Sequence, residues 1–193
     1  MSNFAADVVA FMDEKGIKTA TIVGHSMGSF VAMQTALDAP KRVDGIVLIG
    51  TASTANNSVV NGLAVEVNKM TEPVSAEFAR EFQVSTSSPS LPKEFIDTVV
   101  SESLKLPLHV WKKALNGVMA TDYKSKLNKI TMPVTIFWGG KETIFPRSEQ
   151  DILTSGLPNA KLLIYPDSGH APHWEEPEKF ANDLNKILAE KKG

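Results

Sequence analysis

Thr21-Ile22-Val23-Gly24-His25-Ser26-Met27-Gly28 is the stretch around which the rest of this 193-residue chain is organised. A β-branched apolar run ends abruptly in the pattern Gly-x-Ser-x-Gly, and a helical pattern begins at the serine. The run predicts a short buried strand at 20–23, followed directly by a helix. We expect both glycines of the pattern to be required, because a Cβ atom at Gly24 or Gly28 would collide where the strand and the helix meet.

A sharp turn from strand to helix can present the Ser26 hydroxyl clear of the sheet, in the geometry known as a nucleophile elbow. A serine hydroxyl is a poor nucleophile until a base takes its proton and a third group orients that base. The motif therefore predicts nucleophilic chemistry at Ser26, provided that a histidine and an acid reach it from elsewhere in the chain.

The fold class follows from apolar runs elsewhere in the sequence. Residues 43–49, 133–138 and 160–165 form three further runs of this kind, separated by helical patterns. Unbroken apolar strands that alternate with helices are typical of a parallel sheet covered on both faces. We therefore predict an α/β fold with a mostly parallel sheet flanked by helices, ending in an amphipathic helix that begins near Pro177.

The pattern changes between residues 53 and 129, where no comparable strand appears and short helical patterns follow one another. They are interrupted by Pro73, by the 85–92 stretch and by Pro107. We predict a helical cap at 53–129, inserted into a core formed by residues 1–52 and 130–193. The larger apolar residues of this segment are expected to pack between helices, and some of them to line a cleft. They are Met70, Phe78, Phe82, Phe95, Leu104, Trp111 and Met119.

Candidates for the acid and the base follow two of the later strands. Glu142 comes after the strand that ends near Trp138, and His170 comes after the strand that ends at Tyr165. The carboxyl ends of parallel strands are where open α/β sheets bind their ligands, so Ser26, Glu142 and His170 are predicted to meet there. Asp167 is a competing acid, but three residues before His170 it is more typical of a turn.

The remaining histidines are assigned no catalytic role. His25, beside the serine, is expected to point away from the site. A metal site built from His109 and His173 is not predicted.

Three separated motifs, at 24–28, 137–142 and 168–177, make the chain resemble the α/β-hydrolase superfamily, and the branch of esterases, non-haem haloperoxidases and carbon–carbon hydrolases in particular. The resemblance implies that Ser26 is the nucleophile, His170 the base and Glu142 the acid, and that the Met27 N–H is an oxyanion donor. The family more often has aspartate where Glu142 stands.

The resemblance also implies strands and a His-Gly loop before the elbow, and only nineteen residues precede Ala20. We therefore expect an N-terminally shortened core that lacks one oxyanion donor, with weak activity. The 20–23 strand would then be an exposed apolar edge through which the chain forms a homo-oligomer.

Composition limits the function classes further. A net charge of −2 gives no electrostatic support for nucleic-acid binding, and the absence of cysteine excludes disulfides and thiolate chemistry. No apolar stretch approaches the roughly 18 residues needed to span a bilayer. We expect a soluble, cytoplasmic enzyme without cofactor or metal that acts on a small-molecule ester or related acyl compound. Perhydrolysis, carbon–carbon bond hydrolysis and a non-catalytic remnant or binding module remain alternatives.

Overall fold

The computed structural model describes residues 1–71, 73–87 and 91–190. Within them, α-helices and β-strands alternate at both ends of the chain, and helices alone occupy its middle. The elements are α1 (Ser2–Glu14), β1 (Ala20–His25), α2 (Met27–Asp38), β2 (Val43–Ile49), α3 (Ser58–Lys69), α4 (Ala76–Ser85), α5 (Lys93–Leu104), α6 (Leu108–Met119), β3 (Val134–Gly139), α7 (Arg147–Gly156), β4 (Ala160–Tyr165), α8 (Pro172–Glu175) and α9 (Pro177–Glu190).

The four strands form one sheet in the order β1-β2-β3-β4, and every neighbouring pair is parallel. The register brings the carboxyl ends together, since His25 pairs with Ile49 and Ile49 pairs with Phe137. The predicted α/β class with a parallel sheet is therefore confirmed.

Alternate residues of each strand point to opposite sides of the sheet, and both sides are covered at the central strands β2 and β3. On one face, Ile46 and Leu48 of β2 pack in a cluster with Phe30 of α2 and Leu153 of α7. On the other face, Val47, Ile49, Phe137 and Tyr165 pack against α9 through Ile187, Phe180 and Leu184. This double burial explains why β2 and β3 are mostly apolar in the sequence, the exposed Asp44 lying near the start of β2.

The β1 strand lies at one edge of this sheet. The face of β1 that carries Val23 is open, and the Val23 residue is 45% exposed. An edge strand also presents backbone N–H and C=O groups that no neighbouring strand satisfies. The expectation that β1 is an exposed apolar edge therefore matches the described residues.

Helices α3 to α6 fill the connection between β2 and β3 and have small clusters of their own. Phe78 and Phe82 of α4 pack against Trp111 of α6, with ring centroids 5.9 and 5.6 Å apart, as predicted for residues between helices. Leu104, by contrast, is 40% exposed. The boundaries of a cap at 53 and 129 stay a prediction. Within the predicted break at 85–92, residues 88–90 lie outside the described residues.

Candidate active site

Ser26 forms the sharp turn between β1 and α2. Its backbone has φ 51° and ψ −120°, and in the part of the chain that the structure describes it is the one non-glycine residue with positive φ. Such a conformation costs about 1–3 kcal/mol and persists where surrounding contacts impose it. Here the Ser26 N–H donates to the Ile49 carbonyl at 2.9 Å, and the Ser26 carbonyl accepts from the Ser29 N–H at 2.9 Å. Ser26 as a whole is half-buried.

The two glycines of the motif differ in what they allow. A Cβ atom at Gly24 would lie 2.2 Å from the Gly28 carbonyl oxygen, so the strand and the helix meet too closely for any side chain there. A Cβ atom at Gly28 would meet nothing within 4 Å. The expectation of a collision is confirmed for Gly24 and wrong for Gly28, because the second glycine faces open space on α2.

Glu142 and His170 are in direct contact, although they follow different strands. His170 Nδ1 lies 2.6 Å from Glu142 Oε2, and the two side chains are 3% and 0% exposed. A carboxylate only accepts, so Nδ1 carries the proton and Nε2 is left free to take one. The other oxygen of Glu142 accepts from the Ile144 N–H at 2.8 Å. The tight turn after β3, in which the Glu142 N–H donates to Gly139, lets the longer acid reach the imidazole.

His170 reaches the same end of the sheet as Ser26. Its ring lies against Gly50, where a Cβ atom would come within 2.8 Å of Nδ1. Gly50 directly follows Ile49, whose carbonyl holds the Ser26 N–H. Among the hydrogen bonds of residues 1–71, 73–87 and 91–190, none joins the Ser26 hydroxyl to His170. Catalytic contacts of this kind often form only when substrate binds, so the pairing of Ser26 with His170 stays a prediction.

Asp167, the competing acid, lies away from this contact. Its side chain is 88% exposed and forms an ion pair with Lys141 at 3.5 Å. It belongs to the turn after β4 and does not approach His170, so this alternative is wrong.

His25 was expected to point away from the site, but it contacts His170, and sequence reasoning missed this contact. Its Nε2–H donates to the His170 carbonyl at 3.1 Å, and its ring lies 4.9 Å from the His170 ring and 4.5 Å from that of His173. Burial, and secondly repulsion by His170 and His173, lowers the pKa of His25 to about 2. Burial and then His170 lower the pKa of His173 to about 4. Both side chains are therefore neutral at pH 7.

Trp174 connects this histidine cluster to the helices between β2 and β3. Its ring centroid lies 5.6 Å from that of His25 and 5.3 Å from that of Phe95 on α5, in an edge-to-face arrangement. Phe95 was expected to pack between helices of the inserted segment, and this contact places it against the residues that follow β4. No separate motif in the sequence indicates this pairing.

Met27, predicted as an oxyanion donor, is the first residue of α2. The first N–H groups of a helix have no intrahelical acceptor and lie at the positive end of the helix dipole. The role of the Met27 N–H, as donor to the substrate carbonyl oxygen that becomes negative when Ser26 attacks, stays a prediction.

Neither a metal-ligand cluster nor a membrane-spanning helix is found in the described part of the chain. No group of three or more histidine, aspartate and glutamate side chains there could hold a metal ion. Among the same residues, every helix is too short or too polar to cross a bilayer.

Comparisons with known proteins identify similar chains. The family model described as the alpha/beta hydrolase fold matches residues 1–177. The chain is 28% identical over 196 residues to a 2-hydroxy-6-oxononadienedioate/2-hydroxy-6-oxononatrienedioate hydrolase of a Pseudomonas species, covering 96% of this chain and 69% of that protein. A hydrolase with the same name from Dechloromonas aromatica is 29% identical, with 88% and 62% covered. The chain thus spans about two thirds of the length of these relatives.

Among solved structures, an esterase from Exiguobacterium antarcticum has a TM-score of 0.86 at 19% identity, with 96% of this chain and 72% of that chain covered. At this level of identity the likeness concerns the fold.

Proposed function

The chain belongs to the α/β-hydrolase fold family, and from that premise we propose that it is a serine hydrolase of small, uncharged carboxylic esters. The observation that carries the proposal is the buried contact between Glu142 and His170, at the sheet end where Ser26 forms its strained turn. A carboxylate with no exposed surface that holds one imidazole nitrogen is the arrangement that prepares the other nitrogen as a base.

The proposed reaction has two steps. His170 Nε2 takes the proton of Ser26 as the hydroxyl oxygen attacks the ester carbonyl, and the resulting oxyanion accepts from the Met27 N–H. The alcohol leaves with the proton from His170, and an acyl group remains on Ser26. Water, losing its proton to the same nitrogen, then attacks the acyl carbonyl and releases the acid with Ser26 restored. No metal or cofactor takes part.

An uncharged substrate is favoured by the side chains around His170. Its ring neighbours are His25, 4.9 Å away, and Phe145, 5.8 Å away, with His173 beside His25. With the pKa of His25 at about 2 and that of His173 at about 4, neither is a cation at pH 7. These groups suit an apolar acyl chain and offer a carboxylate substituent no charge partner.

A second candidate function is cleavage of a carbon–carbon bond, and the names of the relatives at 28–29% identity favour it. Those relatives are named for hydrolysis of dienedioates, which carry two carboxylates. The same three residues would serve, with a carbon leaving group in place of the alcohol. Perhydrolysis would use the same acyl group on Ser26 with peroxide in place of water. Comparing rates on neutral esters and on a dienedioate separates the two hydrolytic candidates.

The Met27 N–H is the oxyanion donor in this proposal, and removing one such donor elsewhere costs about 10²–10³ in turnover. Turnover of p-nitrophenyl acetate that is lost in Ser26→Ala would support the assignment of the nucleophile, and turnover that survives this substitution would contradict it.

Labelling with a fluorophosphonate probe tests the nucleophile without a substrate. We expect the probe to attach to Ser26 in the unmodified chain and not in Ser26→Ala. Glu142→Gln should slow labelling by about 10³-fold or more, because an amide no longer selects the required tautomer of His170. Asp167→Asn is the matched control, since that acid is exposed and lies away from His170, and its labelling rate should not change. Absence of labelling in the unmodified chain would favour a non-catalytic protein.

A further inference from the structure

The backbone on both sides of His170 is held by a single carboxylate. Glu175 Oε2 accepts from the Gly169 N–H at 2.8 Å, and Glu175 Oε1 accepts from the Ala171 N–H at 3.1 Å. The carbonyl of His170 itself accepts from His25 Nε2–H at 3.1 Å. Three polar backbone groups around one residue are thus satisfied by two side chains, one from α8 and one from the end of β1.

We propose that Glu175 is a positioning residue for His170, which keeps the imidazole aligned between Glu142 and Ser26 by fixing the peptide groups before and after it. The proposal rests on the proposed function, because it assigns His170 the role of base. Glu175 itself touches neither the imidazole nor the Ser26 hydroxyl in these contacts, so it acts through the backbone.

The geometry of the loop explains why such a restraint is needed. The loop runs close to the end of β3, where a Cβ atom at Gly139 would lie 1.9 Å from the Gly169 carbonyl oxygen. Glu142 is anchored separately, through its second oxygen and the Ile144 N–H. Glu142 lies in the loop after β3 and His170 in the loop after β4. Their short contact therefore forms only when both loops are held in a fixed position relative to each other. A carboxylate that holds both peptides beside His170 removes the freedom of the second loop.

Glu175 is well placed to impose that restraint, because its own position is fixed locally. Its N–H donates to the Ala171 carbonyl at 3.0 Å within the single turn of α8, and its side chain returns to the N–H groups of Gly169 and Ala171. The neighbouring Glu176 has a different contact, since it accepts from the Ser168 hydroxyl at 2.6 Å. The two consecutive acids hold different parts of the loop, and only Glu175 spans His170.

The competing explanation is that Glu175 only stabilises the short helix α8. The two explanations differ in what Glu175→Ala changes. A purely stabilising contact would lower the unfolding temperature and leave His170 as it is in the folded molecules. A positioning contact alters the hydrogen bond between His170 and Glu142 in molecules that remain folded.

Two measurements on the full chain distinguish them. The first is the downfield imidazole N–H resonance of His170 in proton NMR, assigned by its loss in Glu142→Gln. The second is the labelling rate of Ser26 by a fluorophosphonate across pH. In Glu175→Ala we expect the resonance to shift or exchange away, and labelling to fall by about 10- to 10²-fold with a displaced pH midpoint. Glu175→Gln, which keeps one acceptor oxygen, should be intermediate. Glu178→Ala, an exposed acid of α9, is the control and should match the unmodified chain.

The proposal is overturned if Glu175→Ala keeps the resonance and labels within about twofold of the unmodified chain. If Glu175→Ala does not fold, Glu175→Gln decides by the same two measurements. If the unmodified chain is never labelled, the proposed function fails, and the resonance still reports whether Glu175 holds His170.

Discussion

Replacement of His25 by phenylalanine should remove a large part of the acid sensitivity of this fold. Burial, followed by repulsion from His170 and His173, lowers the pKa of His25 from 6.5 to about 2. In the unfolded chain the same side chain takes up a proton near pH 6.5. Between these two values the unfolded state binds more protons than the folded state, so the stability contributed by neutral His25 is fully present above pH 6.5 and is lost as pH falls.

The size of the effect follows from the distance in pH. At pH 5 the solution lies about 1.5 units below the pKa of the unfolded histidine, and each unit corresponds to about 1.36 kcal/mol. Because folded His25 stays neutral, the unfolding free energy is therefore about 2 kcal/mol lower at pH 5 than at pH 7. His173, with a pKa lowered to about 4, contributes in the same direction, so His25→Phe should keep part of the slope. Phenylalanine retains the ring contacts with His170 and His173 and removes the titrating nitrogens.

Urea unfolding followed by tryptophan fluorescence measures this at pH 7 and at pH 5. The readout is the difference in unfolding free energy between the two pH values, which should be about 2 kcal/mol smaller in His25→Phe than in the unmodified chain. His109→Gln, an exposed histidine on α6, controls for the loss of any histidine. If His25→Phe loses as much stability between pH 7 and pH 5 as the unmodified chain does, the reasoning from burial of a neutral imidazole is wrong.

Two further predictions concern the strand that carries the turn. In Gly24→Ala the new Cβ would lie 2.2 Å from the Gly28 carbonyl oxygen, so β1 and α2 must separate by about 1 Å. Fluorophosphonate labelling of Ser26 should then fall by about 10²-fold. Gly28→Ala is the control and should label like the unmodified chain, because its Cβ meets nothing within 4 Å. Equal labelling of the two variants would contradict the packing argument. We also propose that the chain self-associates by pairing β1 edges across a two-fold axis, so its sedimentation coefficient should rise with concentration. Val23→Lys should abolish that rise, and a concentration-independent monomer in the unmodified chain would count against edge pairing.

Much of this architecture was open to prediction from the sequence alone. The predicted strands at 43–49 and 160–165 have the same bounds as β2 and β4, because both segments are mostly apolar, although β4 is only partly buried. The order of Ser26, Glu142 and His170 along the chain was equally informative. Each follows a strand, and the carboxyl ends of parallel strands lie at the same edge of the sheet. Local patterns were therefore enough to predict that Glu142 and His170 meet, and the two side chains are in contact.

The supporting contacts could not be predicted in this way. His25 and His170 are 145 residues apart, and nothing in the composition around either one indicates that a ring nitrogen meets a carbonyl. In the sequence, Glu175 is indistinguishable from a surface acid, and only the structure shows that it accepts from the N–H groups of Gly169 and Ala171. The motif also does not indicate that a Cβ atom at Gly28 would meet nothing within 4 Å, because this depends on which segments lie beside α2.

The sequence by itself thus determined the strands, the strained serine and the acid and histidine candidates, since each depends on a run of neighbouring residues and on the direction of one strand. Tertiary structure alone decided which groups restrain the histidine and which glycine is indispensable. Those outcomes depend on distances of 2–3 Å between segments that are far apart in the chain, and such distances are set by the packing of the whole sheet and its loops.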